Sequence, residues 1–343
     1  MDCREFYEQV VRLEKIQRAA THFVRVRLAE VAPYDLNKFQ FDLDTTFAVF
    51  FMNADGDVYG RYGGRDATSD VSRMSLNGLR YAMEAALATH EAKNSERLIA
   101  RAWNAKPLLV RNLRSGRRRG GCIHCHTAKE MVLSSKGAWN RNNAYRYPPP
   151  DNLGLTFEID RGDIVRRVRS KSPAARAGLK TGDAVTRFNG FPVHSFADAQ
   201  YALDGAPKTG AVAVSWLRNG KPMSGRIALP RGWRKTDIRW RPSMIDYLGS
   251  ARVYGRDLNA RERKRYGLTP KQLAFFQQNR VHVQAKAAGI RAGDIILGFD
   301  DRILDLEAYE FLRYVRGRYL IGDTVKVNLI RNGKRITRTM KLR

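Results

Sequence analysis

At 343 residues the chain is too long for one small core and implies several domains. Its 43% hydrophobic content, 10% of the chain being aromatic, is that of a folded protein and excludes a disordered one. Sixty-two Lys and Arg stand against 34 Asp and Glu, a net charge of +28. That excess is spread along the whole sequence with no zinc finger, helix-turn-helix or aromatic RNA-binding signature beside it, so a solvated basic surface is the preferred reading over nucleic acid. No run of about 18 apolar residues is present, which argues against a membrane-spanning helix.

In chain order, the first element is a helix over about 4–21, with Phe6, Val10, Leu13 and Ile16 at helical spacing. The alternating stretch Phe23–Leu28 (FVRVRL) predicts a strand. FAVFFMNADGDVYGRYGG predicts two strands joined by a hairpin at Asp55-Gly56, and a long amphipathic helix over about 71–92 closes the region. This order, and the hairpin above all, resembles a thioredoxin-like α/β domain over residues 1–95, N-terminally truncated by one strand. The resemblance places Cys3, at the mouth of the first helix, where the second cysteine of a redox C-x-x-C stands. The first cysteine, or a selenocysteine, would then precede Met1, with an export signal farther upstream. One departure is that Thr45-Thr46 stands where thioredoxins place a cis-proline.

Residues 96–150 form a basic segment and linker containing Cys122-Ile123-His124-Cys125-His126, the spacing of covalent c-type haem attachment. Cys122 and Cys125 would carry the thioethers and His126 an axial bond to the haem iron. A second dithiol, or half a zinc site, uses the same residues and stays open as an alternative. YRYPPP (145–150) then makes a stiff lead into the next region.

The C-terminal part repeats itself. Gly178-Leu179 and Gly182-Asp183 return as Gly289-Ile290 and Gly293-Asp294, and WLRNGK (216–221) returns as LIRNGK (329–334). An amphipathic helix is expected at about 195–203 in the first copy and 306–315 in the second. These residues resemble PDZ domains of the bacterial, protease-associated type, α+β and mainly β, over 151–232 and 243–343. The resemblance implies a peptide-binding loop and strand at Leu153, Gly154, Leu155, Thr156 and Phe157, with Gly267 and Leu268 as their counterpart. After the latter, Thr269-Pro270-Lys271-Gln272 predicts a helix start that would replace the receiving strand. No Gly-x-Ser-x-Gly elbow is present, so a protease reading is set aside.

The whole resembles a bacterial family that joins a thioredoxin-like domain, often with selenocysteine, to PDZ domains. It implies a periplasmic or otherwise extracytoplasmic thiol- or selenol-disulfide oxidoreductase, and the C-x-x-C-H stretch adds covalent haem c as a candidate cofactor. Cys3 would resolve the mixed disulfide, and the first PDZ copy would bind protein partners or peptide C-termini. The alternative from a different class is a non-catalytic PDZ adaptor whose first domain is a relic.

Overall fold

The computed structural model describes residues 14–28, 30–92, 107–113, 123–134 and 143–343. The chain divides into two compact units, residues 1–236 with 240–243, and residues 237–239 with 244–343.

The first unit begins with an N-terminal layer. Helix α1 (Glu14–Ala20), the hairpin β1 (Ala48–Met52) and β2 (Val58–Gly63), and helix α2 (Leu76–Glu91) enclose a small core of Ile16, Phe51, Tyr59, Tyr62, Leu79 and Met83. The hairpin forms at the predicted turn: Gly56 adopts φ 88°, and the Asn53 side chain accepts from the Asp57 amide at 2.8 Å. Ser75 caps α2 by accepting from the Gly78 amide at 2.9 Å.

The thioredoxin-like sheet is not formed by the described residues. Phe23–Leu28 joins no strand, and the hairpin is a two-stranded sheet. Val24 and Val26 remain 94% and 75% exposed. The period-2 pattern that predicted a strand is real, but among the described strands none pairs with it, and Val24 and Val26 stay uncovered. Cys3 and Cys122 lie outside the described residues.

Residues 150–229 of the same unit build the first repeat copy. A turn at Pro150–Leu153 leads through Gly154 into β3 (Leu155–Phe157), which pairs antiparallel with β4 (Val165–Val168). Helix α4 (Pro173–Arg176) precedes a second sheet of order β6-β5-β7-β8, made of β5 (Ala184–Phe188), β6 (Phe191–Pro192), β7 (Gly210–Arg218) and β8 (Lys221–Leu229). Between β6 and β7 in the chain comes helix α5 (Phe196–Asp204), the helix expected at 195–203, with Ser195 as its N-cap. The helix Cys125–Ser134, labelled α3, packs Ala128 against Leu36 and Val110.

The second unit repeats the plan around Phe275, Phe299, Phe311 and Val327. Its five-stranded sheet has the order β13-β12-β11-β10-β9. In chain order it contains β9 (Gly255–Asp257), α6 (Ala260–Arg265), β10 (Phe275–Gln277), α7 (Val283–Ala287), β11 (Ile295–Phe299), α8 (Ala308–Arg318), β12 (Thr324–Arg331) and β13 (Lys334–Lys341).

Why the repeated letters fold alike is visible in one clamp. Arg218 grips Asp183 through two bonds of 2.8 Å and donates to the Gly178 carbonyl at 2.7 Å. Arg331 does the same to Asp294 and Gly289, at 2.7 Å throughout. The arginine thus ties the closing hairpin to the Gly-Asp turn in both copies, a bidentate geometry lysine could not supply.

Two expectations for the second copy are corrected. The helix is not at Thr269 but at Ala260–Arg265, started by a capping box of Asn259 and Glu262; Thr269–Gln272 is a turn closed by the Gln272 amide on the Thr269 carbonyl. The strand that pairs with β10 as β3 pairs with β4 is Gly255–Asp257. Arg252 stands before it at φ 54°, as Gly154 stands before β3 at φ 90°. Gly267 and Leu268 follow α6 instead, Leu268 being buried in a side cluster with Leu258 and Ile330.

Candidate functional site

In the first copy the structure brings Leu153, Gly154, Leu155, Thr156 and Phe157 together as one loop and strand. Leu153, Leu155 and Phe157 point into the core at 0–2% exposure, so they hold the strand in place rather than face a ligand. Gly154 is required by its conformation and by space: a side chain there would run into Ser172. Thr156 points the other way, and its hydroxyl donates to Asp151 at 3.0 Å. Among the described strands β3 pairs with β4 alone.

Helix α5 has two buried faces. Ala199, Ala202 and Leu203 pack into the core of the copy with Tyr201 against it, while Asp198 and Gln200 meet other elements. Gln200 donates to the Tyr147 carbonyl at 2.8 Å. Asp198 accepts from the backbone amide of Arg61 at 2.7 Å and from that of His194 at 3.2 Å. Burial pushes its carboxyl up, against the lowering effect of His194 and Arg61. The Arg61 guanidinium lies 3.5 Å from the centre of the Tyr201 ring. Ser195, His194 and Asp198 are the residue types of a hydrolytic triad, but their arrangement is a helix cap. The Ser195 hydroxyl bonds the Arg61 carbonyl and lies 3.2 Å from Asp198, not on the imidazole.

A second constellation holds α3 in place. Lys129 reaches Asp42 at 3.1 Å and Asp44 at 2.6 Å; Arg241 reaches the same pair at 2.7 and 3.3 Å. The Ser243 hydroxyl donates to Asp44 at 2.8 Å. All five residues are buried. Burial would raise the Asp44 carboxyl, but the charges of Lys129 and Arg241 outweigh it and hold the group at about 2, below its ordinary 3.8.

This lowering fixes a pH dependence. On acidification the unfolded chain takes up the Asp44 proton first, so the stabilisation is full above about pH 4 and is lost as pH falls toward 2. Urea unfolding at about pH 4 and pH 2 is expected to differ by roughly 2 kcal/mol more in the wild type than in Asp44→Asn. Equal differences would show that Asp44 does not carry it.

Cys125 opens α3, one turn before Lys129, and the rings of His124 and His126 stack in parallel at 5.9 Å. Among the described residues no three His, Cys, Asp or Glu side chains gather as a metal site would require. No helix among them is long and apolar enough to cross a membrane.

With this geometry in view, the PDZ-domain family profile matches residues 151–229. Those residues form a PDZ domain. The periplasmic pH-dependent serine endoprotease DegQ of Escherichia coli is 36% identical over 75 residues, 22% of this chain and 16% of the relative. A probable periplasmic serine protease of the do/HhoA-like kind from Haemophilus influenzae is 29% identical over 158 residues, 45% of this chain and 31% of the relative. The chain therefore spans less than a third of the curated relatives it matches. Among solved structures, a serine endoprotease from Yersinia pestis is 29% identical at a TM-score of 0.20, over 22% of this chain and 27% of that one. The HtrA-type protease AlgW with decapeptide is 16% identical at 0.25, over 47% and 54%; both scores are too low to speak for the architecture.

These findings overturn the thioredoxin-like (seleno)protein family and the haem-bearing redox function expected from Cys3 and the C-x-x-C-H stretch. The similarity is to PDZ-bearing serine endoproteases, the class set aside for want of a Gly-x-Ser-x-Gly elbow. That elbow belongs to one hydrolase fold, whereas nucleophilic serines occur on unrelated folds, so its absence was a poor criterion. The Arg61–Asp198 contact and the Asp42–Asp44–Lys129–Arg241 cluster escaped the sequence reading. Their partners lie 137 and up to 199 residues apart, with no spacing signal to find them.

Proposed function

We propose that this chain recognises extended peptide ends in an extracytoplasmic protein-turnover system of the serine-endoprotease kind. The PDZ match at 151–229, with the Gly154 loop, strand β3 and helix α5 in the order that a peptide-accepting groove needs, carries the reading. A peptide would add to the free edge of β3, its terminal carboxylate held by backbone amides at Leu153–Leu155. The second copy is read as the same module, from the shared Arg–Asp clamp and hairpin. The periplasmic setting of the relatives supports work outside the cytoplasm.

The test is a fluorescence-anisotropy titration with a fluorescein-labelled decapeptide ending in Leu-Val with a free carboxylate, beside its amidated form. The free acid is expected to bind at least tenfold tighter, and Gly154→Val to remove that difference by blocking the loop. Equal binding of both forms would reject the groove reading. Cleavage of casein that is lost on treatment with a serine-directed sulfonyl fluoride would place proteolysis in this chain as well.

A further inference from the structure

We infer that the groove of the first PDZ domain is closed by the chain's own N-terminal layer, with Arg73 as the latch that spans it. What enters the opened groove rests on the peptide-binding reading above; the closure itself does not.

The layer touches both walls of the groove. On the helix side, the end of β2 lies along α5: Asp198 and Ser195 hold the Arg61 backbone, and Gly64 is so close to Phe196 that a Cβ there would sit 2.7 Å from its ring. Gly63, Gly64 and Arg61 line one cleft together with Ala197 and Gln200 of α5. On the strand side, Asn77 donates to Asp160 at 3.1 Å and the Tyr81 hydroxyl to Asp163 at 2.8 Å, in the loop that follows β3.

Arg73 joins the two sides. Its guanidinium donates to Asp151 at 3.0 Å, and Asp151 in turn receives the Thr156 hydroxyl of β3. The same guanidinium lies 4.7 Å from the centre of the Phe196 ring on α5, and its Nε donates to Asp66 at 2.8 Å. One side chain therefore bridges the loop–strand wall to the helix wall. Beneath it, Phe157 of β3 and Phe196 of α5 line a small cleft roofed by Tyr62, Arg73 and Gly78. A peptide adding to the edge of β3 would need this space, so binding must displace the layer. Its apparent affinity is then reduced by the fraction of molecules that are open.

The contrast between copies points the same way. Tyr309, which follows the first residue of α8 as Ala197 follows that of α5, is 70% exposed, and Arg313 is exposed on the same helix.

The full chain is compared with Arg73→Ala and with Asp151→Asn, which removes the charge while its amide oxygen still accepts from Thr156. Two readouts are used: amide hydrogen exchange over 196–204, and titration with the Leu-Val decapeptide. Both variants are expected to melt as folded proteins, to exchange about tenfold faster in α5 and to bind the probe about tenfold tighter. Unchanged exchange in both variants, or a wild type that binds the probe as tightly as they do, would overturn the latch. Faster exchange with no probe bound by any form upholds the closure and rejects the peptide-binding reading instead.

Discussion

Arg241→Ala is expected to lower the unfolding free energy by about 3–5 kcal/mol, measured by urea titration of the full chain. The reason is asymmetric. Arg241 is 2% exposed and binds both Asp42 and Asp44, so its removal leaves two buried carboxylates sharing Lys129, the other cation that pairs with them among the described residues. The net value of the intact cluster is far smaller than that cost, because bringing all four charges out of water offsets most of their attraction. A double variant, Arg241→Ala with Asp42→Asn, is therefore expected to recover part of the loss. If the double variant is less stable than the single one by the full effect of Asp42→Asn, the charges act independently and this account fails.

Asp198→Ala is expected to cost about 2–4 kcal/mol, and Asp198→Asn much less. The alanine leaves the Arg61 and His194 amides as buried donors without their acceptor, whereas asparagine keeps an oxygen in place. Burial already pushes the carboxyl toward its neutral form, so loss of the charge is the lesser part of the change. Amide exchange should rise in β2 as well as in α5, since the same carboxylate holds both. Equal costs for the two substitutions would mean that the charge, not the acceptor, matters at this position.

Much of the fold could be read from local pattern. The Asp55-Gly56 hairpin, the helices α2, α5 and α8, and the duplicated Gly-Asp turns stand where turn chemistry and apolar period placed them. The Arg–Asp clamp then follows the repeat, since Arg218 and Arg331 recur at the same step of the closing hairpin. Pattern failed at Phe23–Leu28, where alternation is correct for a strand but none of the described strands pairs with it. It failed again at Thr269, where Thr-Pro reads as a helix start but forms a turn, the helix beginning instead at the Asn259–Glu262 box. The functional reading erred for a related reason. The C-x-x-C-H spacing covers five residues and fixes neither a fold nor a partner, whereas the PDZ resemblance extends over a whole domain.

The sequence by itself determined the duplicated module, its turns, and the glycine on which the Leu153–Phe157 loop depends, because those are properties of neighbouring residues and their backbone angles. Only the tertiary structure decided what covers the groove and what anchors α3. Arg73 meets Asp151 and Phe196, and Arg241 meets Asp42 and Asp44, across separations that no periodicity encodes. Packing alone brings those charges together, and only once they share a buried space does their pairing acquire an energy.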